Sequence, residues 1–315
     1  MFKNKIATII PYFGKWPEWI ELYFYSCSKN ECIDWYFFTD CEGIKTQYPN
    51  VHFEKMFFSD YCKIVSERLK IEFKPTSPYK LCDLKPFYGY IHQDILKTYD
   101  FWGFADVDVV WGNIKDFYTD KLLDKYDVFS THNDRLSGHF CILRNDLRYT
   151  NLCFKIKDWQ TKLESDQNFA LDEGEFSRLI FPKSKIIGKF YRQIMMNWLG
   201  WKLAWEIYYN VFPVFHILFQ FKRRKLYFKE QHTTPILSND GKLYKYEAET
   251  WYYENGKITN NRVKKEYMYL HFMIFKKNNF RNDYFWKEDF YHLKTSDFTK
   301  KIMINKQGFN TIDSE

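Results

Sequence analysis

At 315 residues the chain is long enough to bury the core of one α/β domain with an appendage, so a fold that depends on disulfide staples is excluded. The net charge of +7 fits an anionic partner such as a nucleotide diphosphate, a lipid phosphate or a membrane surface, without choosing among them. Seven cysteines (Cys27, Cys32, Cys41, Cys62, Cys82, Cys141 and Cys153) are odd in number and never spaced as CxxC, which argues against a disulfide framework or zinc ribbon and for a reducing cytoplasm. Aromatic residues reach 22% while mean hydropathy is −0.54, so part of the aromatic surface must lie outside the core.

The apolar run at the N-terminus is too short for a signal peptide and lacks a small-residue cleavage site, so Ile6–Phe13 reads as a first strand. Further strands are expected at Trp35–Thr39, Val51–Lys55, Phe101–Ala105, Asp127–Thr131 and His139–Arg144, the first strand itself spanning Ile6–Pro11. Helices are expected to begin near Pro17, Asp60, Pro86 and Asn113, two of them opened by a proline suited to a first helical turn. This alternation predicts a Rossmann-like α/β fold over residues 1–187, with a mixed, mostly parallel sheet flanked by helices.

From Asn145 the pattern turns helical, through Asp146–Leu163 and Leu171–Phe181. Residues 188–230 form an aromatic insertion closed by Lys222-Arg223-Arg224-Lys225. In the remaining region, 231–315, Asn239-Asp240-Gly241 and Asn255-Gly256 bracket an alternating run that predicts a β-hairpin or meander.

The stretch Phe101 to Gly112 carries most information. Asp106 and Asp108 sit at i and i+2 in an apolar run, where uncompensated burial would cost several kcal/mol each, on the order of ~2–7 for a polar group and more for a charge. A continuous apolar strand leading into them puts both at its carboxyl end, where open α/β sheets bind ligands. Hard oxygen ligands there suit Mg²⁺ or Mn²⁺ shared with a diphosphate.

The segments IIPYFGKWPEW, WYFFTD, YKLCDLKP, FWGFADVDVVWG and SGHFCILRN together resemble, in order and spacing, the DxD glycosyltransferases of the GT-A fold. Within these the resemblance is to bacterial enzymes of capsule, O-antigen and related polysaccharide synthesis, and it covers Ile6 to Asn145 plus a short piece around His271. It implies a nucleotide-sugar donor, a UDP-sugar first, with Mn²⁺ or Mg²⁺, and a hexose moved to a growing surface glycan or a lipid-linked acceptor.

Residue by residue, the resemblance implies that Tyr12 packs on the base and Asp40 makes a polar contact to base or ribose. Lys80 would neutralise phosphate charge, Asp83 would hydrogen-bond sugar hydroxyls, and Gly138 would give the donor sugar room, with His139 beside it. His271 would be the third metal ligand after Asp106 and Asp108. Each has a plain alternative: Tyr12 as core, Asp40 and Asp83 as caps, Lys80 as a solvated cation, His139 and His271 as structural histidines. A catalytic carboxylate is sought among Asp166, Asp172, Glu173 and Glu175, with Asp172 and Glu173 nearest the pattern and helix-dipole compensation as the alternative.

Trp198, Trp201, Trp205, Tyr208 and Phe212 share one helical stripe that, with the basic run, suits docking of residues 198–225 on an anionic membrane surface at the cytoplasmic face; packing against the main domain is the alternative. Two other functions stay open. A metal-dependent phosphoester hydrolase predicts a second set of ligands, which the sequence near Asp106 does not offer. A non-catalytic carbohydrate- or nucleic-acid-binding protein predicts basic residues interleaved with the aromatics, whereas here they follow them, so no nucleic acid partner is expected.

Overall fold

The computed structural model describes residues 3–44, 46–133, 135–180, 225–235, 249–263, 265–278, 283–284, 286 and 289–312. In chain order its first strands are β1 (Ile6–Pro11), β2 (Ile33–Thr39), β3 (Val51–Lys55), β4 (Phe101–Ala105), β5 (Val109–Trp111), β6 (Val128–Ser130), β7 (Phe140–Arg144) and β8 (Leu226–Phe228). All but β5 form one seven-stranded mixed sheet in the order β3-β2-β1-β4-β7-β6-β8. β3, β2, β1 and β4 are mutually parallel, and β7 runs antiparallel between β4 and β6.

Strands β1 and β4 are nearly continuous apolar runs because both of their faces are covered. Ala7 and Ile9 of β1, with Trp102 and Phe104 of β4, point into one core with Tyr61, Val65 and Leu69 of helix α2 (Phe58–Leu69). The alternate residues Ile6, Ile10, Phe101 and Ala105 face the other core with Ile20, Tyr23, Phe24 and Cys27 of helix α1 (Ile20–Ser28). The two helices α1 and α2 therefore lie on opposite sides of the sheet. The strict alternation of a strand's side chains thus builds two cores from one sheet.

The expected long helix Asp146–Leu163 is instead three short turns, Leu147–Thr150, Leu152–Lys155 and Trp159–Glu164. The Asp146 carboxylate caps the first by accepting from the amides of Arg148 and Tyr149, and Asp158 adopts a left-handed backbone (φ 52°) that separates the second from the third. Residues 226–228, the end of the segment read as an insertion, pair with β6 as the sheet's edge strand. The aromatic stripe from Trp198 to Phe212 lies outside the described residues, as does Asn239-Asp240-Gly241.

The later strands are β9 (Trp251–Glu254), β10 (Lys257–Asn260), β11 (Tyr269–His271), β12 (Lys277–Asn278), β13 (Asp283–Tyr284), β14 (Lys301–Asn305) and β15 (Gly308–Ile312). A second sheet has the order β10-β9-β14-β15. Asn255 and Gly256 form the tip of its first hairpin, both at positive φ (49° and 78°), which is the backbone that an Asn-Gly turn supplies; they join two strands and do not mark the boundary of one. β11 belongs to neither large sheet and pairs with β5 instead. All seven cysteines are free.

Candidate active site

The order β3-β2-β1-β4 means that successive connections leave β1 in opposite directions, so a crevice opens between the carboxyl ends of β1 and β4. Tyr12 follows β1 and Asp106 follows β4, one on each lip. Beyond β4 the chain leaves the main sheet through Asp106-Val107-Asp108 and enters β5. Three contacts from α1 and the residues flanking it hold that exit: the Trp19 indole donates to the Val107 carbonyl (2.9 Å), the Trp111 amide donates to Ser26 Oγ (3.1 Å), and Asn30 Nδ2 donates to the Gly112 carbonyl (2.9 Å).

Strand register then places the histidine. His271 lies opposite Val109 in the β5–β11 pair, and the Phe272 amide donates to the Asp108 carbonyl (3.1 Å), so His271 is beside Asp108 although 163 positions away in sequence. One ligand atom from each of Asp106, Asp108 and His271 lies within 4.8 Å of the others. His271 Nε2 is 3.5 Å from Asp108 Oδ1, and Nδ1 is hydrogen-bonded with the Thr234 hydroxyl at 3.1 Å. That outer contact fixes the ring and turns the other nitrogen to the carboxylates, the arrangement expected behind a metal-ligating histidine. Two carboxylates and one oriented imidazole therefore fit a divalent ion of the Mn²⁺ class.

Two lysines neutralise the pair. Lys85 Nζ donates to Asp106 Oδ1 (2.6 Å) and to the Gly138 carbonyl (2.8 Å), and lies 3.5 Å from Asp172 Oδ2. Burial alone would lower it, but the charges of Asp106 and Asp172 outweigh burial and hold Lys85 well above the usual lysine range. Lys276 donates to Asp108 Oδ2 (2.6 Å) and stands over the Trp19 ring at 5.3 Å. The Asp108 side chain is 13% exposed. Its burial alone would raise the carboxyl, and His271 and Lys276 instead hold it well below the usual carboxylate range.

Asp172 and Glu173 reach the same place. Four carboxylates were candidates; Asp166 is engaged by the Thr76 amide and hydroxyl (2.8 and 3.1 Å) and Glu175 by Lys162 (2.7 Å), while Glu173 Oε1 accepts from the Gly138 amide (3.0 Å) and Asp172 faces Lys85. Burial raises the Asp172 carboxyl, with Lys85 opposing the shift. Gly138 makes this possible: a Cβ there would sit 2.8 Å from Asp172 Oδ2 and 3.1 Å from Glu173 Oε1. The room that Gly138 leaves is thus filled by carboxylates, where a sugar had been expected. Gly138→Ala is expected to fold with a melting temperature within a few degrees of the wild type, because flexible carboxylate ends can yield, yet to lose roughly 10–100-fold in turnover through their displacement, as comparison of kcat would show.

Lys80 and Asp83 have a different setting from the one expected. Both are fully buried, 2.9 Å apart; Lys80 also donates to the carbonyls of Lys162 (2.7 Å) and Gln167, and Asp83 accepts from the amides of Phe169 (3.0 Å) and Leu171 (3.1 Å). Their charges are consumed in fastening Pro78–Phe87 to the segment that leads into Asp172. The reason is the helix type. Pro78–Phe87 is a 3₁₀ helix with three residues per turn, so Lys80 and Asp83 share the inward face while Tyr79, Cys82 and Lys85 share the face that meets the site.

Tyr12 is half-buried and stacked on Trp16 (centroids 5.0 Å apart, interplanar 11°). Its hydroxyl is raised by burial, by Cys41 and by the charge of Asp108. Asp40 accepts from the Gly14 amide (2.7 Å), which anchors the loop after β1 at a glycine with φ +105°. His139 is buried, hydrogen-bonded with Ser137 Oγ (3.0 Å) and stacked on His271 at 4.1 Å. The expectation that no second set of ligands lies near Asp106 is overturned: His132, His139 and Glu173 also bring one ligand atom each within 4.8 Å of one another. Lys85, Lys276, Thr234 and His132 escaped the sequence reading, and only Lys85 carried a signal, its three-residue spacing from Cys82 within YKLCDLKP.

Fold and site define an α/β protein with a carboxylate–imidazole centre at the switch point of its sheet. The chain belongs to the family described as a family of unknown function (DUF6625), whose model matches residues 8–311. No curated protein matches it. Among solved structures it is similar to galactosyltransferase LgtC in complex with donor and acceptor sugar analogs, at 9% identity and TM-score 0.33, covering 55% of this chain and 70% of that one. It is also similar to the glycosyltransferase GlyE of Streptococcus pneumoniae TIGR4, at 11% identity and TM-score 0.31, covering 70% of this chain and 64% of that one. Neither likeness is close enough to transfer a residue.

Proposed function

We propose that the chain is a glycosyltransferase that takes a hexose from a nucleotide sugar, a UDP-sugar in the first instance, to a growing surface glycan or lipid-linked acceptor. The observation that carries this reading is the meeting of Asp106, Asp108 and His271 at the switch-point crevice. A divalent ion held there would neutralise charge on the departing diphosphate. Tyr12 and Asp40, on the opposite lip, would receive the nucleoside. Lys85 and Lys276 already balance the two aspartates, so a metal adds positive charge that only an anion can compensate; metal and diphosphate should therefore bind together.

Asp172 is the proposed proton acceptor for the sugar hydroxyl, with Glu173 fixed on the Gly138 amide beside it. Because burial raises Asp172, the ionised and active form is lost as pH falls through a value above the ordinary aspartate range. The acid limb of kcat should lie there, and Lys85→Gln, which removes the opposing cation, should move it further up. A screen of UDP-sugars for UDP release with Mn²⁺ against EDTA, followed over pH, tests both points; an acid limb at the ordinary aspartate value, unmoved by Lys85→Gln, would remove Asp172 from this role. The segment 198–225 is proposed on sequence alone as the surface that meets an anionic membrane, and no helix among the described residues is long and apolar enough to cross one.

The second ligand set favours one other reading, a metal-dependent phosphoester hydrolase. The two sets share no carboxylate that would bridge a pair of ions, which two-metal hydrolysis at about 3.5–4 Å separation usually requires, so it stands second.

A further inference from the structure

The loop after β6 and the start of β7 put His132 and His139 beside the site, with His139 stacked on His271, and the turn at Asp172–Phe176 brings Glu173 within reach of both. We propose that His132, His139 and Glu173 form a second metal site, of the zinc class, separate from the Asp106–Asp108–His271 centre.

The donor set differs in kind from that of the first centre. Two imidazoles and one carboxylate suit a borderline ion such as Zn²⁺, whereas two carboxylates and one imidazole lean toward Mn²⁺ or Mg²⁺. Each ligand also has the outer support that a metal site needs. His132 Nδ1 lies 3.5 Å from Glu230 Oε2, which orients the ring and leaves Nε2 for an ion. His139 is held through Nε2 by Ser137 Oγ (3.0 Å) and by its stack on His271. Glu173 is pinned through Oε1 by the Gly138 amide (3.0 Å), which leaves its second oxygen for coordination.

The spacing of up to 4.8 Å is wider than the roughly 3.4 Å between ligands of a tetrahedral ion with bonds of about 2.0–2.1 Å. His132 and Glu173 supply the closure, since His132 is only partly buried and Glu173 is exposed. Three protein ligands leave one position open toward the carboxylate crevice. An ion here would hold Glu173 as a ligand and leave Asp172 as the carboxylate available for proton transfer. The site rests on these ligands alone and stands or falls apart from the sugar-transfer reading.

The test is metal stoichiometry by equilibrium dialysis with Zn²⁺, and Co²⁺ absorption as a geometric readout, on four chains: wild type, Asp108→Asn, His132→Ala and Glu173→Gln. The expected result is that Asp108→Asn keeps one Zn²⁺ and the intense visible band of four-coordinate Co²⁺, while His132→Ala and Glu173→Gln each lose that ion and that band. Loss of all Zn²⁺ in Asp108→Asn, or no effect of His132→Ala and Glu173→Gln on stoichiometry, would overturn the assignment. His132→Ala is partly solvent-exposed and Glu173→Gln is isosteric, so the pair also separates loss of a ligand from loss of fold.

Discussion

Asp108→Asn is expected to lower turnover by roughly 10²–10⁴-fold and to leave nucleotide binding indifferent to Mn²⁺. The size follows from the several kcal/mol that a Lewis acid supplies to a departing diphosphate, at about 1.4 kcal/mol per tenfold in rate. Two groups converge on this carboxylate, His271 at 3.5 Å and Lys276 at 2.6 Å. Asparagine keeps the shape and removes the charge, so the change falls on metal affinity more than on the fold. UDP release from a UDP-sugar, with the melting temperature as control, measures it. Full activity in Asp108→Asn would remove the metal centre from the chemistry.

Lys80→Met is expected to cost about 3–5 kcal/mol of stability, which for a chain of this length corresponds to a drop in melting temperature of roughly 5–15 °C. The substitution leaves Asp83 charged, fully buried and without its cation, and the two amides it accepts from do not replace that charge. A surface lysine in a phosphate-binding role would give the opposite result, weaker nucleotide binding with unchanged stability. Thermal unfolding and UDP titration of one variant distinguish the two. The contrast is large because a solvated lysine on a helix contributes less than about 1 kcal/mol.

What the sequence made legible was local. β1, β3 and β4 span the residues expected for them, and in β1 and β4 a nearly continuous apolar run is the signal. The pair Asp106 and Asp108 stood out because ionised groups in an apolar strand demand a cation. What stayed hidden depended on distance or on helix type. His271 was named only through the family resemblance: what makes it a neighbour of Asp108 is the register of β5 with β11, for which a three-residue strand carries no periodic signal of its own. Likewise, β8 reaches the main sheet from the far end of a long segment.

In YKLCDLKP the family resemblance points to Lys80 as the partner of phosphate charge, and nothing in the linear sequence marks which of its lysines faces the carboxylates. At 3.0 residues per turn the faces separate differently, and Lys85 takes the position at the carboxylates. Gly138 is expected from the resemblance to give a donor sugar room, and the atoms that lie against it are those of the Asp172–Glu173 pair, drawn from a segment whose own sequence shows only an acidic turn. The long helix expected over Asp146–Leu163 failed for a local reason, the extended backbone at Ile156 and the left-handed Asp158 within it. His132 and Glu230, separated by 98 positions, meet only because β6 and β8 pair as neighbours in the sheet.

The central claim is that Asp106, Asp108 and His271 hold a metal together with a nucleotide diphosphate. Calorimetric titration of UDP into the purified chain, first with Mn²⁺ and then with EDTA, and again with Asp108→Ala, addresses it directly. Binding that requires Mn²⁺ and disappears in Asp108→Ala is the predicted result. UDP binding of equal strength in all three experiments, or none with any nucleotide in any of them, would contradict the assignment of this crevice as a donor site.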